Sequence, residues 1–108
     1  MTKLVEYKRI EIDEGLMDAA GIYEHEMVLV ANIENGNRFE TYVIKGQKSS
    51  GVVGLNGAAA RLGSVGDKVI VMSVAWLDEK ECEKLKPQFV RVDGKNKLLE
   101  VKNGVGRA

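Results

Sequence analysis

The sequence is poor in the residue types from which small catalytic and metal sites are usually built. Its one cysteine, Cys82, allows no intrachain disulfide and no zinc site made of thiolates, and it fits a reducing cytosol. Its one histidine, His25, excludes a site made of several histidines. His25 could in principle act as a general base or metal ligand. Between Glu24 and Glu26 in a predicted loop it reads instead as a solvated turn residue, and no metal is expected. Sixteen basic and sixteen acidic residues give zero net charge, so there is no basic excess to bind nucleic acid or an anionic membrane. The same balance leaves little repulsion between like subunits and permits a homo-oligomer. The N-terminus has no long apolar stretch, so neither a signal peptide nor a membrane span is expected, and the expected location is cytoplasmic. Gly51, Gly54 and Gly57 do not complete the fingerprint of a dinucleotide or phosphate loop.

What is present suits one small β-rich domain. The chain has 108 residues and 44% hydrophobic content, so a single core is expected over residues 1–102, with a flexible glycine-bearing tail at 103–108. Residues 3–12 look extended, and Ile10-Glu11-Ile12 alternates as a half-buried strand does. Asp13 offers an N-cap oxygen to a short helix that Gly21 would end in a left-handed residue. Met27 to Ile33 reads as a buried strand, Asn35-Gly36 as a hairpin turn, and Arg38 to Ile44 as the returning strand. A polar loop, a short apolar run at Val52 to Leu55 and a helical turn after Asn56-Gly57 follow. The apolar run Lys68 to Leu77 suggests a central strand, Asp78 a helix N-cap, and Phe89 to Val101 a last hairpin around Asp93-Gly94. Six or more short strands with small helices suggest a closed β barrel.

Most of the polar clusters read as surface. Asp78, Glu79, Glu81 and Glu83 interleave with Lys80 and Lys84 as the solvated face of a helix. Cys82 on that helix reads as a small packing residue rather than a nucleophile, and Trp76 and Tyr23 as core or interface residues. One strand is different in kind. Arg38 and Tyr42 stand four residues apart and share a face, while Thr41 points the other way. Arg38 can hold a carboxylate through two parallel hydrogen bonds, and Tyr42 can donate a proton.

Four stretches, in order, carry a resemblance: IEIDEGLMDAAGI (Ile10 to Ile22), ENGNRFETYVI (Glu34 to Ile44), LNGAAARLGSVGDKVIVMS (Leu55 to Ser73) and KPQFVRVDGKN (Lys86 to Asn96). Together they resemble the aspartate 1-decarboxylase family. The resemblance implies a mainly β fold, a six-stranded double-psi β barrel with short helices, assembled as a homotetramer with active sites between subunits. It implies a lyase that removes one carboxylate from L-aspartate to give β-alanine for pantothenate biosynthesis. Family members cleave themselves between a glycine and a serine, and the serine becomes a pyruvoyl group that serves as electron sink. By motif, Arg38 resembles the carboxylate-binding arginine, Tyr42 the proton donor and Thr41 the threonine that assists self-cleavage. Asn56, Gly57, Ala58 and Ala59 resemble the lining of the substrate pocket.

The departure from the family lies before this strand. Lys8 stands at the glycine position and Arg9 at the serine position, and neither carries the hydroxyl or thiol that an acyl shift requires. The remaining Gly63-Ser64 pair reads as structural, and Lys3 is a weak match to a lysine borne on the family's first strand. The expectation is a diverged enzyme that binds a small amino acid or carboxylate around Arg38 and Tyr42 without a pyruvoyl group. Lys8 would then be a candidate Schiff-base amine and Arg9 a candidate second carboxylate binder. Two alternatives stand beside it: an aspartate 1-decarboxylase that does carry the covalent pyruvoyl group, and a non-catalytic homologue that binds a small acid or a partner.

Overall fold

A computed structural model describes residues 8–103, leaving aside the side chains of Lys8, Ala58 and Asn103. Apart from the backbone of Asn103, the expected tail lies outside these residues, as do Lys3 and the N-terminal segment from which the absence of a signal peptide was inferred. Seven strands and three short helical segments make up the described chain. In order they are β1 (Lys8–Asp13), α1 (Glu14–Ala20), β2 (Met27–Asn32), β3 (Arg38–Gly46) and β4 (Val53–Gly57). A 3-10 turn (Ala58–Leu62), β5 (Val69–Ser73), α2 (Glu79–Lys84), β6 (Gln88–Val92) and β7 (Leu98–Asn103) complete the chain.

Local chemistry sets the helix ends. The Asp13 side chain accepts the Gly15 N–H at 2.7 Å and starts α1, and Gly21 ends it at φ 72°. At α2, Asp78 and Glu81 form a reciprocal capping box. The hairpin after β2 is looser than a two-residue turn: Ile33 to Asn37 connect the strands, and of Asn35 and Gly36 only Gly36 has positive φ.

Strands pair in the order β4-β1-β3-β2-β5, with β6 and β7 as a separate hairpin. β1 runs parallel to β3 and antiparallel to β4. A parallel neighbour needs a crossover, here supplied by α1 and β2. The fold is mainly β, as expected. Among the described residues the hydrogen-bonded ladder does not close, and β4 and β5 stand at its two ends.

The core is Ile10, Ile12, Met17, Val28, Val30, Phe39, Val43 and Ala59. Period-two alternation brings β1, β2 and β3 to it, each turning one face inward. Three expectations give way here. Within the run Lys68–Leu77 only Val69–Ser73 is a strand, and among the described residues it stands at the end of the ladder rather than its centre, paired by β2 alone with Ile70 facing solvent. Of the core-or-interface reading of Tyr23 and Trp76 only the core half gives way, since they are 78% and 101% exposed. Cys82 is exposed rather than packed. Among the described residues no helix is long and apolar enough to cross a membrane.

Candidate functional site

Sheet register gathers residues that the sequence separates. Arg9 of β1 pairs with Tyr42 of β3 on one side and with Asn56 of β4 on the other, and Tyr42 pairs in turn with Met27 of β2. Residues in one such row point to the same face. Asn56, Arg9 and Tyr42 therefore stand side by side, all half-buried, on the face opposite Ile10 and Val43. The Nε atom of Arg9 is itself buried. The neighbouring pair places the Lys8 backbone opposite Gly57.

From Arg38 to Ile44 the burial pattern of β3 alternates. Arg38, Glu40 and Tyr42 share the outer face, while Phe39, Thr41 and Val43 are buried on the inner one. Arg38 and Tyr42 are about 13 Å apart along the strand, a span that two long side chains and a small ligand can bridge. Thr41 does not join them: it is 2% exposed and faces the core. Ala59 is likewise a core residue, fully buried, whereas Gly57 is exposed at φ 65° where β4 turns into the 3-10 segment.

Two neighbours of this face escape the sequence reading. Glu40 lies between Arg38 and Tyr42, as the two-residue period alone would place it. His25 is exposed at φ 70°, and its ring centroid lies 6.3 Å from that of Tyr42 at an interplanar angle of 53°. No local signal could have found that contact.

The far end of β1 is built differently. The Asp13 carboxylate is 4% exposed and accepts N–H bonds from Gly15 at 2.7 Å, Ser49 at 3.0 Å and Gly51 at 2.8 Å. The Gly51 bond above all, against the opposing pull of burial, holds this carboxyl below its usual range. A cavity of about 330 Å³ opens here, beside Asp13, Ser49, Lys95 and Lys97, away from the Arg38–Tyr42 face.

Gly63-Ser64 sits in a loop fixed by amides. The Leu62 carbonyl accepts from the side chains of Asn32, Asn35 and Asn37, and the Ser64 N–H donates to Asp67 Oδ2 at 2.8 Å. This supports its structural reading. Among the described residues no three acidic, histidine or cysteine side chains come together to hold a metal ion. The pyruvoyl group implied by the resemblance finds no precursor in β1. The strand reads KRIEID, without a hydroxyl or thiol, and at the critical place Arg9 is held in the ladder from both sides. The residues at 8 and 9 do not fit that group.

Comparison with known proteins agrees with the fold and the motifs. The family described as aspartate decarboxylase matches residues 2–99. An aspartate 1-decarboxylase of Caldicellulosiruptor bescii is 59% identical over 92 residues, covering 85% of this chain and 72% of the relative. That of Pelotomaculum thermopropionicum is 56% identical over 95 residues, covering 88% and 72%. That of Neisseria meningitidis is 53% identical over 92 residues, covering 85% and 72%. With its mainly β fold, its RFETY strand and its NGAAAR turn, this chain belongs to the aspartate decarboxylase family.

Proposed function

We propose that the chain acts on L-aspartate as an aspartate 1-decarboxylase, with β-alanine as product. The supporting observation is its 53–59% identity with proteins of that name over most of its length. On this reading Arg38 pairs with a substrate carboxylate through its planar fork of donors. The electron sink this reaction needs comes from outside residues 8 and 9, and the Tyr42 phenol gives a proton to the carbon that loses carbon dioxide. Asn56 adds hydrogen bonds, and the Gly57–Ala58 backbone turn shapes the wall, with Ala59 anchoring that turn in the core. Thr41 contributes only through the position of β3. Supply of β-alanine to pantothenate synthesis, a cytoplasmic location and assembly as a homotetramer belong to the same proposal. Exposed Trp76, Phe89, Leu98 and Leu99 support assembly with further copies.

A second reading has its own observation. Arg9 replaces the residue from which the family's electron sink is made and places a permanent cation beside Tyr42 and Asn56. This favours a member that binds a small dicarboxylate between Arg9 and Arg38 without covalent chemistry. It would be either a diverged enzyme or a binding protein, with the Lys8 amine as a further nucleophile candidate.

One experiment separates these readings. Purified full chain is incubated with L-aspartate, β-alanine is measured by chromatography, and the intact mass is recorded. Binding is followed by calorimetry for the wild type and Arg38→Ala. The first reading expects β-alanine, with the yield lowered in Arg38→Ala. Binding that depends on Arg38, without β-alanine and with one full-length mass, hands the site to the second reading. Absence of binding overturns both.

A further inference from the structure

We propose that His25 is a positioning residue of this site, which steadies the Tyr42 ring and makes binding of an acidic ligand pH-dependent across the neutral range. The proposal rests on the reading of Arg38 and Tyr42 as pocket residues. His25 is the only histidine in the chain. Histidine is the side chain whose ordinary titration falls between about pH 5 and 8. The chain's one imidazole stands beside the proposed proton donor, with ring centroids 6.3 Å apart.

The backbone around His25 brings about this contact. Its amide donates to the Val43 carbonyl at 2.7 Å, and the Val43 amide donates to the Glu26 carbonyl at 3.0 Å. The two bonds extend the β2–β3 ladder one step past the Met27–Tyr42 pair and bracket the residue next to Tyr42. Between them His25 is held at φ 70°, a conformation that non-glycine residues adopt at a cost. Asparagine and glycine tolerate that conformation at least as well, so the bend does not itself require an imidazole.

The charged groups around His25 leave room for its charge to act on a ligand. On its own turn, Glu24 accepts the Lys45 N–H at 3.1 Å, and Glu26 accepts the Tyr23 N–H at 3.2 Å and the Ser73 hydroxyl. From β3, the Tyr42 ring faces this turn, the Lys45 amide reaches Glu24 while its ammonium lies 3.5 Å from Glu14, and Arg9 of β1 pairs with Tyr42 in the same row. Arginine stays charged throughout, and L-aspartate keeps one charge state across the neutral range. Protonation of His25 adds one positive charge near the pocket, so affinity for an anion rises as pH falls. A unit charge within about one Debye length, screened by water and protein surface, changes affinity about two- to fivefold.

The test is calorimetric titration of the full chain with L-aspartate between pH 5.5 and 8, in the wild type, His25→Asn and Arg38→Ala. The wild type is expected to bind about two- to fivefold more tightly at the acid end. His25→Asn, which keeps the left-handed turn, is expected to be flat at the wild type's alkaline affinity. A His25→Asn protein that retains the wild-type slope overturns the proposal. Unchanged binding in Arg38→Ala counts instead against the pocket reading. If L-aspartate does not bind at all, the Tyr42 ring proton signals in NMR still decide. They are expected to follow the imidazole titration in the wild type and to lose that dependence in His25→Asn. Tyr42 signals that ignore the imidazole titration overturn the proposal.

Discussion

The two ends of β1 treat a charge in opposite ways. At the C-terminal end, Asp13 is buried, and three backbone amides from two separate segments close on its oxygens. At the N-terminal end, Arg9 is half-buried and stands in a row with two polar side chains, Asn56 and Tyr42. A charge bound by backbone amides fixes the chain and has little left to offer a ligand. A charge set among side chains on an open face can exchange those neighbours for a substrate. In sequence the two look alike, since each is a charged residue flanking the Ile10-Glu11-Ile12 run.

The contrast predicts different losses at the two ends. The largest belongs to Asp13→Ala, which removes the α1 cap and leaves the Ser49 and Gly51 amides without their acceptor. A fall of roughly 10 °C in melting temperature is expected, with the loop at 47–52 the first segment to gain hydrogen exchange. At the other end, Arg38→Ala should leave the melting temperature within about 2 °C of wild type, because the side chain is exposed. Its L-aspartate affinity should fall about tenfold or more, the worth of a lost charge-assisted pair. Arg9→Ala should show a smaller affinity loss, about three- to tenfold, because Arg9 is half-buried in the ladder and less free than Arg38 to close on a carboxylate. The contrast breaks if Arg9→Ala melts as low as Asp13→Ala, because Arg9 would then be architecture too.

What the sequence could reveal follows the range of the interactions involved. Helix α1 was legible because both its signals, Asp13 and Gly21, act within a turn of the chain. The shared face of Arg38 and Tyr42, and the inward turn of Thr41, followed from the strand period alone. The row Asn56-Arg9-Tyr42 was not legible, since it depends on a parallel pairing between residues thirty-three positions apart and no local pattern encodes a register. Resemblance named those residues without showing that they are neighbours. The second role of Asp13 was hidden for the same reason, its loop partners lying 36 and 38 positions away. β5 was misjudged because an unbroken apolar run reads alike at the centre and at the edge of a sheet. His25 reads from its neighbours as a solvated turn residue, which it is, and only the fold places its ring near Tyr42.

The smallest effect is also the one that isolates Asp13 from its neighbours. Its carboxyl is held below the ordinary value chiefly by the Gly51 amide. Asp67 is lowered by the Asn32 side chain and the Ser64 amide, and Asp93 by the Lys97 and Lys95 amides. A carboxyl whose folded-state value is depressed binds fewer protons folded than unfolded. Its contribution is therefore complete above the unfolded value, near pH 4, and is lost as pH falls through the lowered one. Urea midpoints should accordingly be insensitive to these groups from about pH 5 to 8 and should decline below about pH 4. Asp13→Asn cannot titrate, so its midpoint should start lower at neutral pH yet fall less steeply in acid, the slope reduced by up to about one proton. If the acid slopes of the two proteins coincide, the amides around Asp13 hold its geometry without favouring its charge, and Asp67 and Asp93 account for the acid sensitivity of the fold.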